Sequence, residues 1–458
     1  MMDMKESPEG AAPAVNGSTR KVSTESYKGV RDFYPADMAI ENFLFEKMRG
    51  AAERFGYVEY NASILESAEL YRAKTSDEIV SEQTYTFTDR GGREVTLRPE
   101  MTPTVARMVA AKRRELSFPL RWYSIPNVFR YEQPQRGRLR EHWQLNVDIF
   151  GLNSMHADAE ILSVAHNLFM STGATQSDFE IRVNSRALLE ELWTALEILP
   201  EERVVVVRLL DKKDKMSAGE FSDALQERIG ARATDVIAAF ESEEAFVAKI
   251  GARGAAKSAP LSGLQELISY AKSIGIENVR FVPTLVRGFD YYTGFVFEIF
   301  DTNPDNRRSL CGGGRYDNLT ALFGGEPLSA VGFGIGDVTL RDFIESHGLM
   351  PALHSRTQLF LAVMKNDTNA PAIFADTFAA KLRAAGANVV IDYSERGIGD
   401  RIKRALKDEV PYFAVIGDNE ATEKKITVKN LADQSEKSYS LENADDFAAL
   451  TTDLIKRN

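Results

Sequence analysis

The sequence predicts an α+β protein, an antiparallel sheet carrying a helical insertion, followed by a small α/β domain. Three observations carry that prediction. "RWYSIPNVFRYE" and "HWQLNVDIFG" read as two strands joined by the polar stretch "QPQRGRLRE", an antiparallel hairpin with a long basic tip. Over residues 158–277 apolar residues recur mostly at helical spacing, as in "LLEELWTALEIL" and "DALQERI". After Ser355 strand and helix patterns alternate: "QLFLAVM", a helix over residues 371–385, "NVVIDY", a helix over 398–407, then "YFAVIG". That alternation predicts a largely parallel sheet.

The elements follow in order. Residues 1–25 are small, polar and Pro/Gly-bearing, which predicts a disordered tail. They lack the apolar centre of a secretory signal, and Asp3, Glu6 and Glu9 argue against an organelle transit segment. Order is expected from "YKGVRDFYP" onward. Ile40, Phe43, Leu44, Met48, Ala51, Ala52 and Phe55 then follow helical spacing. "YTFTDR" and "EVTLRPE" are short strands, and a helix from Thr102 puts Val105, Met108 and Val109 on one face. The main domain is expected over residues 26–350, with the helical insertion at about 175–277. The sheet returns at Val279 and runs through "LVRGFDYYTGFVFEIF", residues 285–300, to "GGGRYDNL" and "AVGFGIGDVTLRDFIE". The second domain is expected over 355–458, after a linker marked by Pro351.

Composition bounds the chemistry. Of 458 residues, 44% are hydrophobic and 27% charged, the balance of an ordinary globular protein. The one cysteine, Cys311, allows no internal disulfide and points to a reducing, cytoplasmic compartment. His142, His156, His166, His347 and His354 show no zinc-like spacing, so no metal site is expected among the side chains. No run is long or apolar enough to span a membrane, so no membrane partner is expected. A net charge of −11 argues against a chain coated in nucleic acid, yet it leaves room for a local basic groove. Between Arg107 and Arg140 only Glu115 and Glu132 oppose a run of arginines and one lysine.

No P-loop is present, and "GFGIGD" lacks the spacing of a dinucleotide fingerprint. A nucleotide here has to be held by arginines on strands. Arg130 ends one apolar strand. Arg287 opens a stretch with Asp290, Tyr291 and Tyr292, too polar for a plain core strand. A guanidinium fork holds two oxygens of one phosphate and stays charged when buried. Two forks on one sheet suit a phosphorus centre undergoing displacement.

Taken together, these motifs resemble a class II aminoacyl-tRNA synthetase, and within that class the histidyl-tRNA synthetases. "YKGVRDFYP" resembles the family's entry segment and "FRYEQPQRGRLREHWQ" its motif 2. "LVRGFDYYTG" and "CGGGRYDNL" resemble the two signatures peculiar to the histidine enzymes. "AVIGDNEA" with "KITVKNL" resembles the anticodon-binding domain. The resemblance implies a catalytic domain followed by an anticodon-binding domain, and ATP-dependent ligation of L-histidine to tRNA(His) through a histidyl-adenylate. It also implies magnesium on the outer phosphates and a homodimer. Arg130 would bind the ATP α-phosphate, Glu132 the adenine side, and Arg287 the reacting phosphorus. Arg138 and Gly336 would belong to the ATP site. Glu100 and Thr102 would hold the amino end of histidine and Gln144 its carboxylate. Asp148 would read the imidazole, with Tyr291, Tyr292 and Tyr316 lining the pocket. Arg140 and Arg315 would meet phosphates or the tRNA end. A neutral imidazole has one donor and one acceptor, so a carboxylate and a tyrosine hydroxyl satisfy both ends.

The chain also departs from the family's pattern. Motif 1 usually carries a proline at the dimer interface, where "YNASILE" has Ser63. Gln133 stands where relatives often have arginine. Motif 3 normally closes with an acidic residue and an arginine, where this chain has Val338 and Thr339. Arg341 lies about 200° around the helix from Thr339, so it is expected on the outer face, paired with Glu345. Two other classes of function compete. One is a catalytically inactive paralogue regulating histidine biosynthesis, which usually lacks the C-terminal domain. The other is a synthetase for threonine, proline or glycine, which lacks the histidine signatures.

Overall fold

The computed structural model describes residues 22–72, 83–213, 216–251, 258–286, 291–306 and 308–455. The chain divides into two compact units between Met350 and Pro351.

The first unit is built on a nine-stranded sheet of order β1-β5-β7-β12-β11-β10-β8-β9, with β6 also paired to β7. The strands are β1 Val58–Glu59, β5 Leu120–Ser124, β6 Asn127–Phe129, β7 Glu141–Phe150, β8 Phe179–Ser185, β9 Val279–Phe281, β10 Phe295–Asp301, β11 Ser309–Arg315 and β12 Ala330–Gly336. Pairing is antiparallel except for β1 with β5 and β8 with β9. A smaller sheet joins β2 Leu65–Ser67, β4 Glu94–Leu97 and β3 Tyr85–Thr88.

Strand β7 organises the unit. Its side chains alternate between faces. Leu145, Val147 and Ile149 enter a core with Leu44 and Met48 of the helix Pro35–Glu53 and with Ile161, Leu162 and Phe169 of the helix Met155–Ser171. That second helix starts where Ser154 Oγ accepts from His156 N at 3.1 Å. The other face of β7 carries Gln144, Asn146 and Asp148. Opposite them in register stand Gly336, Gly334 and Gly332 of β12. Gly334 and Gly332 face Gly312 and Gly314 of β11 in turn. Polar side chains thus stand beside strands that carry none on that face.

Three expectations for this unit need correction. The predicted insertion at 175–277 includes β8, which pairs with β10 and β9 within the main sheet. Phe179, Ile181 and Val183 alternate inward at period two, a short signal set between longer helical ones. The helices run from Arg186–Ala195 to Ala259–Ser273. The first hairpin arm is two strands, because Pro126 has no N–H for the ladder. Its carbonyl still accepts from Gln144 N at 3.0 Å. Residues 285–300 are not one strand: β10 begins at Phe295, and residues 287–290, Arg287 among them, lie outside the described residues.

In the second unit a five-stranded sheet has the order β14-β13-β15-β16-β17. These are β13 Leu359–Val363, β14 Val389–Asp392, β15 Tyr412–Ile416, β16 Lys425–Asn430 and β17 Glu436–Ser440. Helices Ala370–Ala384 and Ile398–Lys407 fall where the periodicity puts them. The sheet is mixed rather than largely parallel. β13 runs parallel to β14 and β15, but β15–β16 and β16–β17 are antiparallel. A hairpin turn, with Gln434 at φ 62°, returns β17 antiparallel onto β16.

Candidate active site

The polar face of the large sheet opens into a cavity of about 250 Å³. Glu100, Thr102, Arg130, Gln144, Tyr291, Tyr292 and Tyr316 all line it. Glu100 precedes, and Thr102 begins, the helix Thr102–Lys112. Tyr291 donates to Glu100 Oε2 at 3.0 Å, across 191 residues of chain. Tyr71 donates to the Glu100 carbonyl at 3.2 Å, fixing the backbone there. Tyr291 packs edge-on against Tyr292 and Tyr316, with ring centroids 5.0 and 5.8 Å apart.

Asp148 lies at the base of this group. Tyr316 donates its hydroxyl to Asp148 Oδ1, while the buried Oδ2 has no hydrogen-bond partner among the described residues. Burial pushes the Asp148 carboxyl up to about 7, against the Tyr316 hydrogen bond, which lowers it. Burial also raises the Tyr316 and Tyr291 phenols, so both remain donors at neutral pH. Gly332 is required here: a Cβ at that position would lie 2.4 Å from Asp148 Oδ1 and 2.5 Å from the Val147 carbonyl oxygen. Asp148 is buried behind Tyr316 and is not itself among the residues lining the cavity, while the Tyr291 hydroxyl is spent on Glu100.

Arg130 is tethered through Nε to the Pro99 carbonyl at 2.8 Å. Its two terminal nitrogens make no hydrogen bond among the described residues. They are available to an anionic group in the cavity. His142 shares the β7 face with Gln144. Burial, helped by the Arg130 and Arg31 guanidinium groups, pushes it down to about 3, so the ring is neutral. The start of β7 is fixed from the other side by Asp337, which accepts from Trp143 N at 2.9 Å and from Arg31 at 2.5 Å. Glu41, buried beside them, is pushed up to about 8 by burial and by the Asp337 carboxylate.

Glu100, Arg130, Gln144 and three tyrosines thus share one cavity, with Asp148 buried behind Tyr316. Residues 29–338 match the histidyl-tRNA synthetase family, and residues 358–449 match an anticodon binding domain. The chain belongs to the histidyl-tRNA synthetase family. It is 43% identical over 429 residues to a histidine–tRNA ligase of Leptospira biflexa, covering 93% of this chain and 97% of that one. A histidine–tRNA ligase of Thermoplasma volcanium is 37% identical over 411 residues, covering 89% and 94%. The fold is also that of a crystal structure of histidyl-tRNA synthetase from Nostoc sp. PCC 7120, with TM-score 0.78 and 21% identity, covering 96% of this chain and 100% of that one.

Other residues singled out from the sequence stand elsewhere. Glu132 and Arg138 pair at 3.4 Å in the motif 2 loop, and neither lines the cavity. Gly336 pairs with Gln144 in the ladder and precedes the helix Asp337–Ser346. Arg315, expected at phosphates or the tRNA end, does not line the cavity. It is buried, bonded to Asp158 at 2.6 Å and to carbonyls of Leu152 and Ser154, because its strand turns it into the unit's interior. Arg140 is likewise committed. It stacks on Tyr131 at 4.1 Å and donates to the Tyr27 hydroxyl at 3.1 Å. Arg341 pairs with Glu345 at 2.7 Å on the outer face, as the helix spacing requires. Sequence reasoning missed Asn146 and Glu298, which line the cavity. Asn146 was detectable, because it sits at period two between Gln144 and Asp148.

Proposed function

We propose that this cavity activates L-histidine with ATP and passes the histidyl group to tRNA(His). The observation that carries the reading is the glycine-cleared cavity wall where Tyr316 donates to the buried Asp148 carboxylate and Tyr291 to Glu100. The histidine carboxylate attacks the α-phosphorus of ATP and pyrophosphate leaves. The terminal ribose hydroxyl of the tRNA then attacks the acyl carbon. Positioning and electrostatic stabilisation carry most of such catalysis.

Asp148 and Tyr316 are assigned to the imidazole, with Tyr291 and Tyr292 enclosing it. Glu100 and Thr102 take the amino group and Gln144 the carboxylate. Arg130 and Arg287 take the α-phosphate. Glu132, Arg138 and Gly336 are assigned to the nucleotide side. Among the described residues no group of three or more acidic, histidine or cysteine side chains could hold a metal. Magnesium that arrives on the phosphates needs no such cage, and Glu298 is a cavity carboxylate that suits it. The second unit is assigned to the anticodon end of the tRNA.

Dimerisation is supported by exposed apolar side chains around "YNASILE": Val58, Leu65 and Phe87 are 64, 45 and 49% exposed. A cytoplasmic location fits the single, buried Cys311. No helix among the described residues is long and apolar enough to cross a membrane. The regulatory-paralogue reading is not favoured, because the chain keeps both the anticodon-binding match and the polar cavity.

ATP–pyrophosphate exchange across the twenty amino acids is the direct test. Histidine alone should support exchange, and Arg287→Lys should lose most of it in a folded protein, since lysine keeps the charge and not the fork. Exchange with another amino acid, or none, would refute the assignment. Charging of tRNA with and without an extra 5′ guanosine then defines the second substrate.

A further inference from the structure

A second cavity, of about 450 Å³, adjoins the first: Ser309, at the start of β11, lines both. Its wall includes Arg136 and Gly137 from the tip of the motif 2 loop, Arg308, and Thr339 from the first turn of the helix Asp337–Ser346. Its other charged residues are Asp305 and Asp342.

The two arginines differ in what they are free to do. Arg136 is bonded through Nε to Asp342 at 2.9 Å, and Asp305 also acts on it. Arg308 makes no ion pair among the described residues. Its Nη1 donates to the Arg136 carbonyl at 2.9 Å, and its Nη2 to Gln135 Oε1 at 2.9 Å, both neutral acceptors. A guanidinium carries five N–H donors, so donors remain for a ligand. Thr339 offers no cation, and its hydroxyl is already committed to the Leu310 carbonyl at 2.9 Å.

We propose that this second cavity receives the pyrophosphate part of ATP and that Arg308 is the cation that holds it. The proposal rests on the adenylation reading above. In that step an oxygen of the histidine carboxylate bonds to the α-phosphorus. The bond from that phosphorus to the bridging oxygen breaks, and the electron pair leaves with pyrophosphate. Negative charge therefore grows on the group next to Ser309, on the side where Arg308 stands. A fork fixed on two neutral acceptors keeps its charge undiluted for that moment. Because those acceptors belong to the motif 2 loop, the same side chain couples loop position to the leaving group.

The test is exchange kinetics with pyrophosphate, ATP and histidine each varied, together with calorimetric titration of the full chain with inorganic pyrophosphate. Arg308→Gln should raise the KM for pyrophosphate and ATP about 10-fold or more and weaken pyrophosphate binding to match, leaving the histidine KM unchanged. Adding Thr339→Arg to Arg308→Gln returns a guanidinium to the same cavity and should restore pyrophosphate affinity. Unchanged pyrophosphate KM and affinity in Arg308→Gln would overturn the proposal. So would a histidine KM that rises in step, or a failure of Thr339→Arg to rescue, either of which reduces Arg308 to a loop tether. If the unmutated chain shows no histidine-dependent exchange, the adenylation reading fails, and the pyrophosphate titration still decides on the cavity.

Discussion

Strand β13 of the second unit is apolar on both faces, whereas β7 of the first is apolar on one. Leu359, Leu361 and Val363 pack with Phe374, Phe378 and Leu450, while Phe360 and Ala362 pack with Ala405 and Phe413 on the other side. Helices cover both faces of that strand, which gains burial and leaves no face for a ligand. In β7, Leu145, Val147 and Ile149 meet helices, and Gln144, Asn146 and Asp148 meet glycines. The difference shows where a sheet can carry chemistry. An antiparallel sheet with helices on one side keeps a face on which side chains stand at fixed spacing, held by the ladder. The first unit is specialised by what its strands omit, the second by what its helices cover.

Substitutions that exchange these two logics test the contrast. Leu361→Ala removes a fully buried side chain from the helix-covered sheet. It should destabilise the second unit by about 2–5 kcal/mol in denaturant unfolding. Histidine-dependent exchange should survive, because it needs the cavity of the first unit. Loss of exchange in parallel with unfolding of the second unit would erase the proposed division.

Gly332→Ala puts a methyl group where only a glycine fits beside Asp148. Exchange should fall by about 100-fold or more, the cost of displacing a positioned group by an ångström. Circular dichroism should show the fold retained. Near-normal exchange would mean that the glycine-cleared face is not the site.

Asp148→Asn keeps the acceptor for Tyr316 and removes the charge. The histidine KM should rise roughly 10-fold, corresponding to about 1–3 kcal/mol for a mismatched buried partner, with the ATP KM little changed. The same variant has a pH signature. The folded, ligand-free protein holds the Asp148 proton up to about 7, well above the ordinary value of 3.8. Its stabilising contribution is therefore complete below about pH 4 and is lost as pH rises through about 7. Asp148→Asn should gain in Tm over the parent at pH 8 relative to pH 5, by an amount of order 4 °C. A constant difference across that range would show that Asp148 is ionised throughout.

Arg341→Ala should do least. It breaks a surface pair with Glu345, worth about 0.3–0.5 kcal/mol. Exchange should be unchanged, and a marked loss would put Arg341 at the nucleotide instead.

Much of this was legible in the chain because it is local. The alternation of β7, the helix over 398–407 and the outward position of Arg341 follow from residues within a few positions of one another. β8 was hidden for the same reason: seven residues of period two are a weak signal beside longer helices. Arg315 shows the other limit. Its neighbours in "CGGGRYDNL" suggested a phosphate ligand, but its partner Asp158 lies 157 residues away.

By itself the sequence determined the family, the alternating faces of the strands and the residue types gathered at the site, since motifs and periodicities are written in near neighbours. Only the tertiary structure decided which charges are free and which are spent. Tyr316 reaches Asp148 across 168 residues, Arg308 reaches the motif 2 loop across 172, and Arg315 is consumed by Asp158. A side chain's charge is fixed by its chemistry, but its solvation and its partners are set by packing, and those determine whether Asp148 holds a proton and which arginines keep donors free of an ion pair.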